Sequence, residues 1–267
     1  MWMTNYITSN FQNQYKITNK ISDYKGNIDV ELFNSELFDQ IALLYYKEGT
    51  SGIQEVITQR FSYIQSEVVS MIPYCVIAEC KRALICGSIN TEIAYFLSRQ
   101  NVSVDMVVSD KEALFALSGF LPHFKESVSS ENVNIYDNFL DLEYPKYDVV
   151  IHLGAIKLHE FDALKRMTKK DSIIIFRLNN LYLEPSFALN TLCTARDFGN
   201  ILMPFIVPSF IIDCYGYLSN TLHPLADLKL QKSDMLENLQ FYNSNLHQSM
   251  FRLPTILQNI VAPYVKN

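Results

Sequence analysis

Along the first seventy residues, apolar and polar positions alternate in short runs. Residues 15–21 (Tyr-Lys-Ile-Thr-Asn-Lys-Ile) and 28–33 (Ile-Asp-Val-Glu-Leu-Phe) have the two-residue period of half-buried strands. Residues 40–46 are a third candidate strand, and Asp23, Gly26, Asn27 and Asn34-Ser35 supply the turns between them. The period then changes. Ile64, Val68, Val69 and Ile72 fall on one face of a helix over 61–72, and Pro73 is expected to stop it.

From residue 82, strands and helices take turns. Strands are predicted at 83–86, 102–108, 133–136, 147–152 and 172–178, and helices at 91–100, from 111 to 117, and at 161–168. Two late strands, at 206–212 and 215–219, and helices near 245–251 and 255–261 close the chain. Strand–helix alternation at this spacing implies parallel βαβ units in a doubly wound sheet. The reading is therefore α/β, with a small β-rich domain over 1–70 and a Rossmann-like domain over 71–267. Ligands of such sheets bind at the carboxyl ends of the strands, next to the switch in strand order. That directs attention to the loops starting at Gly87, Ser109, Asp137 and Leu153.

Composition narrows the picture only a little. The 267 residues are 49% hydrophobic and 19% charged, as in ordinary globular chains. A net charge of -6 argues against nucleic-acid binding, which needs a concentrated basic face. The start, Met1-Trp-Met-Thr-Asn-Tyr6, lacks the basic and apolar regions of a signal peptide, and no apolar run reaches the roughly 18 residues that would span a bilayer. A cytoplasmic protein with no membrane partner is expected. Cys75, Cys80, Cys86, Cys193 and Cys214 are odd in number and form no Cys-x-x-Cys, which predicts buried thiols and no zinc site.

Each loop has two readings. Gly87 lets the backbone turn close to a ligand, and with Asn90 it suits an adenosyl group, or it makes a plain strand–helix turn. No Gly-x-Gly-x-x-Gly is present. Asp110 can grip ribose hydroxyls or cap the following helix. Asp137-Asn138 offers an acceptor and a donor to an adenine edge, or caps a turn. His152 and His159 are titratable candidates for a general base in the fourth loop, alongside Lys157, or are packed residues.

The last thirty residues contain Tyr242-Asn243-x-x-x-His247-x-x-x-Phe251-x-Leu253-Pro254. This pattern resembles the close of the spermidine synthase (polyamine aminopropyltransferase) family. So do Phe61-Ser-Tyr-Ile-Gln-Ser-Glu67, Asp110, Asp137-Asn138, residues 161–172, Pro208-Ser209 and Tyr215-Gly216-Tyr217. The resemblance implies an N-terminal β-domain joined to a methyltransferase-type sheet, and a homodimer. It implies aminopropyl transfer from decarboxylated S-adenosylmethionine, as co-substrate, to putrescine or a related small amine. No cofactor and no metal are implied. Glu67 and Tyr242, with His152 from the loop reading, are the candidate catalytic residues. Gly87, Asn90, Asp110, Asp137 and Asn138 are the candidate adenosyl-binding residues.

The chain departs from the family at several positions. The family's Gly-Gly-Gly-Asp-Gly is reduced to Gly87-Ser88-Ile89-Asn90-Thr91, and its ribose-binding glutamate falls on Val108. A Tyr-His pair becomes Gln65-Ser66, and an early glutamine becomes Ile28. The catalytic aspartate falls on Leu153 and a second aspartate near Ile156. A short, divergent bacterial branch of the family is similar in length, in its Met-Trp start and in these losses. Replacing a carboxylate by leucine removes both an amine-holding charge and a base, a contribution of about 10²–10⁴-fold in rate. Three functions are therefore compared below: an aminopropyltransferase, a silent adenosyl-binding homologue, and a methyltransferase-type enzyme.

Overall fold

The computed structural model describes residues 1–47, 54–142 and 146–267. Strands β1 (Trp2–Thr8) and β2 (Phe11–Lys16) form an antiparallel hairpin. Next come β3 (Lys20–Tyr24), β4 (Ile28–Ser35), β5 (Asp39–Tyr46) and β6 (Gln54–Thr58), a four-stranded antiparallel sheet in sequence order. The single strand expected over 15–21 is thus split at 17–19. There Thr18 and Asn19 bond to Asn34 across the end of β4, and the chain steps from one sheet to the other.

Helix α1 (Tyr63–Val76) links this unit to the larger one. Pro73 does not stop it. An internal proline costs about 3 kcal/mol in a helix. Met71, Ile72, Cys75 and Val76 around it are all fully buried, and burying one such side chain contributes roughly 1.5–3 kcal/mol. Packing therefore outweighs the missing hydrogen bond. The helix crosses residue 70, and one continuous core joins its Val68, Met71 and Ile72 to Ile28, Val30 and Leu44 of the small sheet and to Ile85, Ile151 and Ile175 of the large one.

The large sheet comprises β7 (Arg82–Cys86), β8 (Ser103–Val107), β9 (Val133–Tyr136), β10 (Tyr147–His152), β11 (Thr168–Leu178), β12 (Ile201–Val207) and β13 (Asp213–Ser219). Its order is β12-β13-β11-β10-β7-β8-β9, parallel from β9 to β11 and antiparallel at β13 and β12. The connecting helices are α2 (Glu92–Ser98), α3 (Lys111–Ala116), α4 (Phe124–Val128), α5 (Leu158–Met167) and α6 (Pro185–Ala195). Helices α7 (Leu230–Asp234), α8 (Ser244–Met250) and α9 (Thr255–Val261) end the chain. This is the α/β sheet expected, with a small β unit before it.

One late strand is misplaced by the sequence pattern. The run 206–212 predicts a strand, but β12 ends at Val207 and residues 208–212 form a bend. Pro208 has no N–H to donate. Pro204, inside β12, is tolerated because β12 is an edge strand. Strand order reverses between β7 and β10, so the crevice at their carboxyl ends, Gly87 and Leu153, is the switch point.

Candidate active site

The switch point is built by two backbones in contact. Gly87 has φ +71°, and a Cβ there would lie 2.3 Å from the Gly154 nitrogen. Leu153 N–H donates to the Cys86 carbonyl at 3.0 Å, extending the β7–β10 pairing into the loops. Only glycine fits such an approach in a left-handed conformation. Asn90, buried, is a turn former: its side-chain oxygen accepts from Glu92 N–H at 3.2 Å, and its amide donates to Ser66 Oγ on α1 at 3.1 Å. It ties the first loop to α1 with both ends of its side chain in use.

Asp110 is fully engaged. Oδ1 accepts from Ala113 N–H at 2.9 Å, capping α3, and from the Tyr24 hydroxyl at 3.0 Å. Oδ2 accepts from Ile28 N–H at 3.0 Å. Burial raises its pKa, but these donors outweigh it and hold the carboxyl below the usual range. The cap reading describes this carboxylate, which also pins the β3–β4 turn to the large sheet. Gly26 permits that closeness, since a Cβ there would meet Asp110 Oδ2 at 2.4 Å. Asp137 is exposed and pairs with Lys111 at 3.0 Å, bridging the second and third loops. Asn138, also exposed, caps the turn at 139–141 through Leu140 N–H at 2.8 Å.

Glu67 and Tyr242 are brought together as a lock. Glu67 is fully buried, and its carboxylate accepts three backbone N–H groups, those of Gln240, Phe241 and Tyr242, each at 2.8 Å. The Tyr242 hydroxyl then meets His247 Nδ1 at 2.7 Å. His247 Nε2 lies 3.0 Å from the Pro224 carbonyl, which can only accept, so Nε2 carries the proton and Nδ1 accepts from the tyrosine. Asn243 caps α8 through Leu246 N–H. Phe251 packs on Phe205, Tyr217 and His247, and the Pro254 carbonyl accepts the first bonds of α9. The whole C-terminal pattern is thus satisfied internally.

Burial pushes the His247 pKa down to about 4, the Pro224 carbonyl countering only in part. Unfolded, the same imidazole would titrate near 6.5. Between those values the unfolded chain takes up a proton that the folded chain refuses. The stability this neutral histidine supports is present above about pH 6.5 and is lost as pH falls toward 4. It is on the order of 3 kcal/mol. In NMR titration the His247 imidazole should keep its neutral shift down to pH 5. A midpoint near 6.5 would contradict its assignment as a buried neutral acceptor.

His152 ends β10 and is buried, and its Nδ1 has no hydrogen-bond partner among the described residues. Burial lowers its pKa, with Glu160 pulling the other way. Side chains alternate along a strand. Leu153, 1% exposed, lies in the core shared with α1, whereas the neighbouring core of Val150, Phe161 and Phe176 covers the sheet's other face. His152 therefore stands across the sheet from the α1 side, and Glu160 of α5 is the charge beside it.

A network that the sequence reading missed lies on the α1 side. Glu55 of β6 accepts the Tyr46 hydroxyl at 3.0 Å and pairs with Arg177 of β11 at 3.3 Å. Gln65 of α1 donates to the Tyr215 hydroxyl at 2.9 Å and reaches Glu55 at 3.4 Å. Burial would lower the Arg177 pKa, but Glu55, Tyr215 and Asp213 raise it overall. Burial, with the Glu55 charge, pushes Asp213 up to about 6 against the pull of Arg177. Tyr46 and Tyr215 are raised mainly by burial, and the Ile89 backbone N–H of the first loop acts on the Tyr46 hydroxyl. The network thus abuts the Gly87 loop. Gln65 and Tyr215 stand at positions the family resemblance marks, and Arg177 lies in the predicted strand 172–178, but nothing in the local pattern links them to Glu55, which lies outside every predicted strand. Among the described residues no group of three or more His, Cys, Asp or Glu gathers to hold a metal. Nor is any helix there long and apolar enough to cross a membrane.

No protein-family model matches the chain. The chain is 32% identical over 270 residues to the polyamine aminopropyltransferase of Helicobacter acinonychis (strain Sheeba), covering all of both chains. It superimposes on the crystal structure of spermidine synthase from Thermotoga maritima with TM-score 0.85 at 16% identity, covering 98% of this chain and 94% of that one. A crystal structure of spermidine synthase in complex with the transition-state analogue AdoDATO matches equally well, with TM-score 0.85, 16% identity and the same coverage.

Proposed function

The chain belongs to the polyamine aminopropyltransferase family, and from that premise we propose that it transfers an aminopropyl group from decarboxylated S-adenosylmethionine to putrescine or a related small amine. The carrying observation is the meeting of two features at the switch point. The Gly87–Gly154 backbone contact brings the first and fourth loops together at the carboxyl ends of β7 and β10, where ligands of such sheets bind. The Tyr46–Glu55–Arg177–Tyr215 network, with Asp213, offers charged and polar groups beside it. We place the adenosyl group along the first three loops, near Gly87, Asp137 and Asn138, with Asn90 and Asp110 holding those loops in position. Glu67 and Tyr242 are positioning residues in this reading, because their polar atoms are already bonded within the chain. No metal or further cofactor takes part.

A second reading, a silent adenosyl-binding homologue, draws on buried Leu153 and on the engaged carboxylates of Glu67 and Asp110. A methyltransferase reading gains no site of its own here. Purified protein incubated with decarboxylated S-adenosylmethionine and a panel of amines separates the readings. Release of methylthioadenosine dependent on an added amine is expected. Tight methylthioadenosine binding without any release would favour the silent homologue.

A further inference from the structure

Alkylating a primary amine needs a group that holds the ammonium and accepts its proton, and Leu153 supplies neither. Most nearby carboxylates are occupied. Glu67 and Asp110 each accept three donors, Asp137 is exposed and paired with Lys111, and Glu55 is bonded to Tyr46 and Arg177. Asp213 differs. It is the first residue of β13, in register with Val207, and so stands at the carboxyl edge beside Leu178. It is half-buried, and its carboxylate is influenced by burial and by the charges of Arg177 and Glu55, with no hydrogen bond among the described residues. Independently, the Tyr15 hydroxyl of β2 is buried, has no hydrogen bond of normal geometry among the described residues although the Asn13 side chain acts on it, and lies within reach of the Asp213 charge.

We infer that Asp213 is the residue that binds the acceptor's primary ammonium and takes its proton, with the Glu55–Arg177 pair fixing the surrounding field. This rests on the aminopropyl-transfer reading. An ammonium N–H proton passes to an Asp213 oxygen. The freed nitrogen lone pair forms a C–N bond to the aminopropyl carbon. The C–S bond breaks, its electrons stay on sulfur, and the sulfonium becomes a neutral thioether. The new secondary ammonium keeps one positive charge. Arg177 neutralises Glu55 in charge, so the cluster presents one uncompensated carboxylate to a cationic substrate. A pKa near 6 leaves Asp213 ionised at neutral pH, yet a better proton acceptor than an ordinary carboxylate. The groups acting on it are Arg177 from β11 and Glu55 from β6; its own charge acts on Tyr15 of β2, and Tyr46 and Tyr215 are bonded into the network behind them.

The test compares wild type with Asp213→Asn and Asp213→Glu. Asp213→Asn should lower kcat by about 10²-fold, within the usual contribution of a positioned base, with methylthioadenosine affinity within twofold. The wild-type rate should rise through an inflection near pH 6 that Asp213→Asn lacks, and Asp213→Glu should recover part of the rate. A kcat within threefold of wild type, or a retained inflection, overturns the inference. Calorimetry with putrescine, on protein saturated with methylthioadenosine, keeps it separate from the activity itself. If wild type proves inactive but binds putrescine, Asp213→Asn should bind at least tenfold more weakly, and equal binding overturns the inference alone. A wild type that neither turns over nor binds putrescine overturns both it and the proposed function. If Asp213→Asn does not fold, the wild-type pH profile decides, since absence of the inflection near 6 counts against Asp213.

Discussion

Glu67→Gln should destabilise the protein by about 3 kcal/mol or more. Three backbone N–H groups converge on one fully buried carboxylate. Hydrogen bonds to a charged partner contribute roughly 1.5–3 kcal/mol each, and a buried donor left unpaired costs about 1–3 kcal/mol. Glutamine keeps the shape but turns one oxygen into an NH₂ donor. If its carbonyl keeps Phe241 and Tyr242, the NH₂ faces the Gln240 N–H, donor against donor. The segment 240–242 then loosens from α1, and the Tyr242–His247 pair loosens with it. Urea unfolding monitored by far-UV circular dichroism reads the loss as a shift in midpoint. A loss under about 1 kcal/mol, together with a collapse in turnover, would mean that Glu67 works as a base and not as a clamp.

Gly87→Ala should cost about 3–5 kcal/mol and weaken methylthioadenosine binding at least tenfold. The left-handed conformation alone costs an alanine roughly 1–2 kcal/mol. The new methyl would also sit 2.3 Å from the Gly154 nitrogen and 2.8 Å from its Cα. Those are backbone atoms and cannot rotate aside, so the ends of β7 and β10 must part. Strain of this kind belongs to the large-effect class of substitutions. Gly119→Ala is the control, because a Cβ there meets nothing within 4 Å, and its effect should stay within about 0.5 kcal/mol. Thermal unfolding and calorimetry on both variants check the pair. Equal behaviour would remove the close contact from the account of the switch point.

Both substitutions bear on how far the sequence could be read. The change from a two-residue to a 3.6-residue period marked α1, and the apolar runs marked β7, β10 and β11, because burial on both faces writes hydrophobicity into consecutive positions. Pro73 predicts a stop because a local rule carries no information about what surrounds it. The core closes around α1, and burial overrides the proline. The C-terminal pattern of Tyr242, Asn243, His247, Phe251 and Pro254 was legible as a family mark. Only the structure shows that it is a set of caps and packing contacts held by Glu67.

By itself the sequence determined the α/β architecture, the strand–helix alternation from residue 82 to 178, the glycine at the first loop and the likeness to aminopropyltransferases. These are written in local periods and spaced motifs. Tertiary structure alone decided which carboxylates are engaged and which is left open. Asp110 and Glu67 look available on paper, but each is filled by donors from distant segments, Ile28 in one case and residues 240–242 in the other. Glu55 and Arg177, 122 positions apart, become an ion pair, and Asp213 joins their field from a strand that starts beyond both. A titratable group's role depends on what the fold sets within a few ångströms of it, and separation along the chain does not encode that distance.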